Sequence, residues 1–210
     1  MVEAHFLHEG KTPPCHRIAV VERNRDAGGR LELSRLISQT DVVRFLISHA
    51  SEMGPLQHRS LGELGLVYSS DGVSPRGVEC VDGATPALDA FGILSARGLS
   101  ALGVVDDEGK LTANLSPSDL RCVLPDSWGV LARPLRSMLE LQCCGGTGKR
   151  GLVVCMPDTC LLDAMKHISE TKLHHIFVVD STGAPLAVVS TTDILRLFLR
   201  PEKAKGSSSA

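Results

Sequence analysis

The stretch LHHIFVVDSTGAPLAVVSTTDILRL, residues 173–197, determines how the rest of the chain is organised. Its β-branched apolar run at 174–179 predicts a strand, and Asp-Ser-Thr-Gly at 180–183 predicts a tight turn. A second strand follows at 185–189, and Ser-Thr-Thr-Asp at 190–193 opens a helical pattern. Hydroxyls and a carboxylate at a strand-to-helix junction are groups that can hold a ribose and its phosphate.

Composition narrows the class of protein. The 210 residues with 43% hydrophobic content are enough for one or two packed units. The net charge of -2 comes from interspersed charges, which argues against an electrostatic nucleic-acid binder. No apolar run approaches the roughly 18 residues of a membrane span, and the first residues do not resemble a signal peptide. We therefore expect a cytoplasmic or nuclear protein, with its 7 cysteines as reduced thiols.

The opening stretch has an earlier copy in the chain. A shift of 74 residues places Asp119 on Asp193, Ser116 on Ser190 and Ser118 on Thr192, without gaps over some forty residues. A weaker copy stands at the start, where 16–21 match 174–179 and 37–42 match 189–194. Internal repetition of this kind indicates a fold built from one recurring unit.

Each full unit predicts the order β-α-β-β-α, hence a mixed α/β (α+β) fold. First strands are expected at 77–81 and 151–155, first helices at 86–97 and 160–171, and last helices at 39–51, 117–124 and 191–199. The first copy has a longer loop, 22–35, with a turn tip at 26–29. The predicted organisation is a partial repeat (1–50, front half missing), a linker (51–75), a repeat (76–124), a linker (125–149), a repeat (150–200) and a disordered tail (201–210). Within the first linker, 61–66 predict a helical turn that docks on the sheet.

This unit resembles the cystathionine β-synthase (CBS) domain. The resemblance rests on the valine-valine-aspartate strand end, the glycine in the turn and the Ser/Thr-x-Ser/Thr-Asp at the last helix. Within that family, the sequences at 16–21, 100–106 and 174–180 resemble the second, third and fourth repeats of the γ regulatory subunit of AMP-activated and SNF1-related protein kinases, of the plant, algal and fungal type. On that resemblance, a preceding repeat and the front of the first copy are missing.

The resemblance implies a non-catalytic subunit that binds AMP, ADP or ATP between paired repeats and that works with protein kinase catalytic and scaffold subunits. The ribose diol would be bound by the carboxylates of Asp193, Asp119 and Asp41. The same clefts would be lined by the hydroxyls of Ser190, Thr192, Ser116, Ser118, Ser38 and Thr40. The phosphates would meet His174, His175, His16 and Arg17.

Two departures from the family pattern affect this interpretation. The second copy carries Ser100 and Ala101 where the others carry basic residues, so its strand supplies no phosphate ligand. His175 replaces the arginine expected in the fourth repeat, and a neutral imidazole binds phosphate more weakly than a guanidinium.

Simpler interpretations stay open. Asp193, Asp119 and Asp41 suit helix caps, and the histidines suit a strand surface. The cysteines at 143, 144, 155 and 160 fit no paired zinc spacing, and 145–149 lack the residues of a phosphate loop. No nucleophile-base set predicts an enzyme, which would reveal itself by nucleotide turnover. The functional alternatives are a CBS module that binds another adenosyl ligand, such as S-adenosylmethionine, to regulate a metabolic or redox enzyme, and a scaffold without ligand.

Overall fold

The computed structural model of the chain describes residues 16–24, 30–68, 77–141, 152–171 and 173–199. The strands are β1 (Arg17–Asn24), β2 (Arg30–Ser38), β3 (Cys80–Asp82), β4 (Leu102–Val105), β5 (Leu111–Leu115), β6 (Val154–Cys155), β7 (His175–Val179) and β8 (Pro185–Ser190). The α-helices are α1 (Gln39–Ser48), α2 (Ala87–Arg97), α3 (Leu135–Leu139), α4 (Leu161–Thr171) and α5 (Thr191–Leu197). The predicted tail at 201–210 lies outside the described residues.

The two complete units, repeat two and repeat three, share one topology. In repeat two, β3 is parallel to β4 and β4 is antiparallel to β5; in repeat three, β6, β7 and β8 are arranged in the same way. The parallel pairs need a crossover connection, which α2 and α4 provide. The predicted α/β fold with β-α-β-β-α units is therefore confirmed.

The partial unit, repeat one, consists of the antiparallel pair β1–β2 followed by α1. The predicted loop at 22–35 is wrong, because the ladder continues through Glu22↔Glu32 to Asn24↔Arg30. The Ser34 hydroxyl also donates to Glu22 Oε1 at 2.8 Å across the pair. Continuing the ladder satisfies backbone groups that a loop would leave to water. The predicted turn tip at 26–29 lies outside the described residues, which end at 24 and resume at 30.

The last helix of repeat two differs from its counterparts. Helices α1 and α5 each begin with an N–H that donates to the backbone carbonyl just before a strand. The Gln39 N–H donates to the His16 carbonyl before β1 (3.2 Å), and the Thr191 N–H donates to the His174 carbonyl before β7 (3.0 Å). The equivalent residue Pro117 has no N–H to donate. The predicted helix at 117–124 is instead a short 3₁₀ helix, Pro117–Cys122.

The predicted linkers contain ordered structure. The 3₁₀ helices Ala50–His58 and Pro125–Ala132 lie in them, together with α3. The Leu61 N–H donates to the Thr159 carbonyl at 3.0 Å, and 74 residues later the Leu135 N–H donates to the Thr85 carbonyl at 2.8 Å. Residues 59–66 thus bond to the start of α4, and Leu61 and Leu66 are buried in the same core as β7 and β8 of repeat three's sheet. Each of these segments precedes one repeat and docks on the other, which ties repeats two and three together.

Hydrophobic clusters connect all three repeats. Phe177 and Val179 of repeat three pack with Leu111 of repeat two, so the two sheets face each other. Helix α1 packs against α4 and α5, and its Val43 is fully buried in the same core as Ile194. Repeat one is therefore held against repeat three. None of the described helices has both the length and the apolar character to cross a membrane.

Candidate functional site

The N-terminus of α5 is built by a reciprocal cap between Ser190 and Asp193. The Ser190 N–H and hydroxyl donate to Asp193 Oδ2 at 3.0 and 2.6 Å, and the Asp193 N–H donates to Ser190 Oγ at 3.2 Å. This capping box satisfies N–H groups that a helix start would otherwise leave unpaired. The cap fixes a carboxylate at the positive end of the helix.

The same carboxylate position recurs in the other two repeats. Ser38 donates to Asp41 Oδ2 at 2.9 and 2.7 Å, and Ser116 donates to Asp119 Oδ2 at 2.7 and 2.8 Å. All three predicted ribose acceptors are thus helix caps, as the simpler interpretation expected, and ribose contact stays a prediction. A carboxylate offers about four acceptor positions, so a cap on Oδ2 leaves Oδ1 available for a second role.

The three carboxylates differ in their surroundings. Asp119 is buried, Asp193 is partly exposed and Asp41 is exposed. The hydroxyl of Ser38 beside Asp41 holds the pKa of that carboxyl below its usual value. Oδ1 of Asp193 lies 3.8 Å from Arg196 Nη1, and Oδ1 of Asp41 lies 3.8 Å from Arg44 Nη1. A ligand would reach Asp193 and Asp41 from solvent more directly than Asp119.

The strand register brings the predicted phosphate residues to the same place. His175 pairs with Ser190 across β7 and β8, and Arg17 pairs with Ser38 across β1 and β2. His174 and His16, one residue earlier, accept the first N–H of α5 and α1 on their carbonyls. The structure therefore groups His174 with Ser190 and Asp193, and His16 and Arg17 with Ser38 and Asp41. The side chains of His174, His16 and Arg17 are exposed.

His175 points into the interface between repeats two and three. It is buried, and its Nε2 lies 3.3 Å from Nδ2 of Asn114 in β5. Burial lowers the pKa of His175 to about 4, with a further lowering from His174 and an opposing effect of Asp119. The imidazole is therefore neutral at physiological pH, and it places repeat three's strand beside the cap of repeat two.

The remaining predicted hydroxyls have different surroundings. Thr192 is buried and donates to Oε1 of Gln39 in α1 at 3.2 Å, next to a 3.0 Å bond from Thr191 to the same atom. Thr40 is partly buried, and the exposed Ser118 accepts the Arg121 Nε on its carbonyl at 3.1 Å. Gln39 and Asn114 were not predicted as site residues. Gln39 stands at the repeat position of Thr191, and Asn114 begins the phrase 114–120 that resembles the plant and fungal γ subunits, but neither signal indicates a contact between repeats.

A groove of about 490 Å³ lies away from these caps, at the opposite end of repeat two's sheet. It is lined by Asp82, Gly83, Val104, Val105, Asp106, Asp107, Thr112, Ala113, Arg136, Leu139 and Glu140. None of the predicted site residues lines it. Because the groove is open and the predicted chemistry lies elsewhere, we place the candidate site at the caps.

The thiols of Cys155 and Cys160 lie in ordinary surroundings, one in the core and one beside a carboxylate of its own helix. Burial raises the pKa of Cys155 to about 11, and Cys160 Sγ donates to Asp163 Oδ2 at 3.2 Å. Within the described ranges, no group of three or more His, Cys, Asp or Glu side chains could hold a metal ion. The cysteines at 143 and 144 and the glycine-rich 145–149 lie outside those ranges.

Comparison with known proteins supports this architecture. The CBS domain pattern matches residues 73–126 and 149–200, half of the chain. The chain is 24% identical to the 5'-AMP-activated protein kinase subunit gamma of Kluyveromyces lactis, over 89% of its own length and 54% of that protein. It spans about half the length of the curated relatives it matches.

Solved structures share the fold, among them the following two. An uncharacterized conserved protein from Pyrococcus horikoshii superposes with a TM-score of 0.60 at 18% identity, over 87% of this chain and 68% of that one. CBSX2 of Arabidopsis thaliana, solved in complex with AMP, superposes with a TM-score of 0.51 at 22% identity, over 67% of this chain and 96% of that one. The predicted resemblance to CBS proteins and kinase γ subunits is confirmed, and the chain belongs to the CBS domain family.

Proposed function

We propose that the chain is a non-catalytic regulatory subunit that binds AMP, ADP or ATP and regulates an AMP-activated or SNF1-related protein kinase. The observation that carries the proposal is that each of the three repeats holds a helix-capping carboxylate beside the start of a strand, β1, β4 or β7. The name of the Kluyveromyces relative and the AMP complex of CBSX2 support it.

Repeat three is the best candidate site. Its Asp193 is partly exposed and held by the cap, and the exposed His174 lies at the start of the adjacent strand. Asp193 Oδ1 would accept the ribose hydroxyls, and His174 would donate to a phosphate oxygen. The buried His175 would instead stabilise the wall between the repeats. Bound nucleotide would shift the kinase only by as much as its affinity differs between two arrangements of the repeats.

Calorimetry with AMP, ADP, ATP and S-adenosylmethionine tests the ligand. Asp193→Asn should weaken nucleotide binding about 10- to 100-fold, since a hydrogen bond to a charged group contributes about 1.5–3 kcal/mol. His174→Ala should weaken AMP binding as well. Asp89→Asn, on an exposed acid in the first turn of α2, is the matched control and should bind as the parent does. Parent-like affinity in both site variants would contradict the proposed site.

Reconstitution with kinase catalytic and scaffold subunits tests the partner. Kinase activity should change with AMP in the complex containing the parent chain and lose that response with Asp193→Asn. A complex that does not form, or does not respond to any nucleotide, would refute the kinase role. Phosphate release from ATP by the isolated chain would show an enzyme instead.

One observation favours the scaffold alternative. Each predicted carboxylate already accepts two hydrogen bonds in its cap, and the Thr192 hydroxyl is bound to Gln39. A parent chain that binds none of the adenine nucleotides would establish this alternative. Tight binding of S-adenosylmethionine alone would indicate a regulator of another enzyme.

A further inference from the structure

The groove at the end of repeat two's sheet differs from the equivalent place in repeat three. In repeat two, the Arg136 N–H donates to the Gly83 carbonyl at 3.0 Å, and the equivalent bond in repeat three joins the Gly62 N–H to the Pro157 carbonyl at 2.9 Å. There, the ring of Tyr68 lies 3.4 Å from the position that a Cβ on Gly62 would take. The chain's own tyrosine therefore covers this position in repeat three, whereas a groove of about 490 Å³ is open in repeat two.

The innermost residues of the groove are apolar. They are the buried Val104, Ala113 and Leu139 of repeat two's core. An aliphatic chain that lies on these residues is removed from water, which favours binding in proportion to the apolar area covered. The volume is also within the range of sites that hold small molecules, roughly 300–1,000 Å³. The groove can therefore take the apolar part of a small ligand.

The rim of the groove carries charges of both signs. Its exposed carboxylates are those of Asp82, Asp106, Asp107 and Glu140. The guanidinium of Arg136 is exposed as well, and its stem passes over Gly83, since a Cβ on that glycine would lie 3.4 Å from Arg136 Cβ. Among the described residues, the side chains of Asp107, Glu140 and Arg136 form no ion pair. Both signs of charge are therefore available to a ligand.

Most of these charges are not required by the fold of the repeat. The equivalent positions lie 74 residues later for Asp82 and Asp107, and 74 residues earlier for Glu140 and Arg136. Repeat three has uncharged residues there, namely Met156, Ser181, Leu66 and Gly62. Since repeat three forms the same sheet without them, the charges of the groove are not explained by folding.

We propose that this groove binds a basic α-amino acid, such as arginine or lysine. The α-carboxylate would pair with Arg136, because a guanidinium presents two parallel N–H donors to a carboxylate. The aliphatic stem would lie on Val104, Ala113 and Leu139, and the two cationic groups would meet the rim carboxylates. Four carboxylates outnumber the one guanidinium of the lining, so the groove favours a ligand with net positive charge over a phosphate. The proposal does not depend on nucleotide binding at the caps.

NMR titration of the full chain with L-arginine and L-lysine tests the groove, and two analogues serve as matched probes. Agmatine lacks the α-carboxylate of arginine, and L-norleucine lacks the side-chain ammonium of lysine. Because the rim groups are exposed, each ion pair contributes little, and we expect dissociation constants on the order of 1 mM. The amide signals of Gly83 and Thr112, which line the groove, should shift and saturate. Each analogue should bind about three- to tenfold more weakly than its parent amino acid.

Variants assign the ion pairs. Arg136→Met should weaken arginine binding about three- to tenfold and leave agmatine binding unchanged, because agmatine has no carboxylate. Asp107→Asn combined with Glu140→Gln should weaken the binding of both. Arg133→Met is the matched control, since Arg133 is exposed on the same segment but does not line the groove, and it should change neither affinity.

Three results would overturn the proposal. They are the absence of amide shifts at tens of millimolar arginine or lysine, shifts that centre on the Asp193 cap instead of the groove, and equal losses of arginine and agmatine binding in Arg136→Met. Saturating shifts of the groove amides with AMP would also overturn it, because the ligand class would then be a phosphate. The comparison of each amino acid with its analogue uses the parent chain alone, so the test stands even if a variant fails to fold.

Discussion

Gln39 and two threonines of α5 form a buried contact between repeat one and repeat three. Removing this contact tests how far it holds the two repeats together. Gln39 Oε1 accepts the hydroxyls of Thr191 and Thr192 at 3.0 and 3.2 Å, and all three residues are buried. Gln39→Leu keeps a side chain of similar volume but removes the acceptor for two buried hydroxyls. An unsatisfied buried group costs about 1–3 kcal/mol, and rotation of the hydroxyls recovers part of that cost. We expect a loss of about 2 kcal/mol in the free energy of unfolding, which corresponds to roughly 4–8 °C in melting temperature for a chain of this size.

Urea unfolding followed by circular dichroism measures this loss, and a double-mutant cycle assigns it. Thr191→Val should cost about 1 kcal/mol less in the Gln39→Leu background than in the parent, because the hydrogen bond is already gone. Gln57→Leu is the control, since Gln57 donates only to the nearby Gly54 carbonyl at 3.2 Å among the described contacts. Strictly additive effects of Gln39→Leu and Thr191→Val would refute the described docking of α1 on α5.

Two further predictions concern the interface between repeats two and three. The pKa of folded His175 is about 4, below the value of about 6.5 for an unfolded histidine, so its contribution to stability is complete above pH 6.5 and is lost as the pH falls to about 4. His175→Asn should therefore flatten the pH dependence of the urea midpoint across that window, and an unchanged slope would contradict the burial. A Cβ on Gly103 would lie 2.7 Å from Cys80 Sγ and 3.4 Å from Phe177 Cε1. Gly103→Ala should therefore lower the free energy of unfolding by about 1–3 kcal/mol, and adding Cys80→Ala should restore part of that loss. If Cys80→Ala restores nothing, the close contact with Cys80 is not the cause.

The features predicted correctly from the sequence are those that depend on local pattern. The repeat is visible because Ser116 and Asp119 recur 74 residues later as Ser190 and Asp193, and a capping box needs only residues three apart. Strand and helix periodicity placed α2 and α4 to within one residue at each end. The resemblance to the CBS domain rests on these same residues.

The features that were missed depend on contacts between distant parts of the chain. The apolar pattern at 61–66 predicted a docking turn, but the hydrogen bonds that attach residues 59–66 to the start of α4 use backbone groups, which the sequence does not specify. The pairing of Gln39 with Thr191 joins residues 152 positions apart. The short 3₁₀ helix after Ser116 begins with Pro117, which cannot donate the backbone bond to the strand that Gln39 and Thr191 donate in the other repeats.

The first turn of α5 carries two roles on adjacent residues. Ser190 and Asp193 form the cap, and Thr191 and Thr192 hold Gln39 of repeat one. The cap fixes the carboxylate before any ligand arrives, so binding there would lose little side-chain entropy. Any displacement of this turn by a ligand must also disturb the buried contact to Gln39. Because buried interfaces are closely packed, we expect ligand occupancy at Asp193 to be linked to the position of α1. The free energy of this coupling can be no larger than the difference in ligand binding free energy between the two positions of α1.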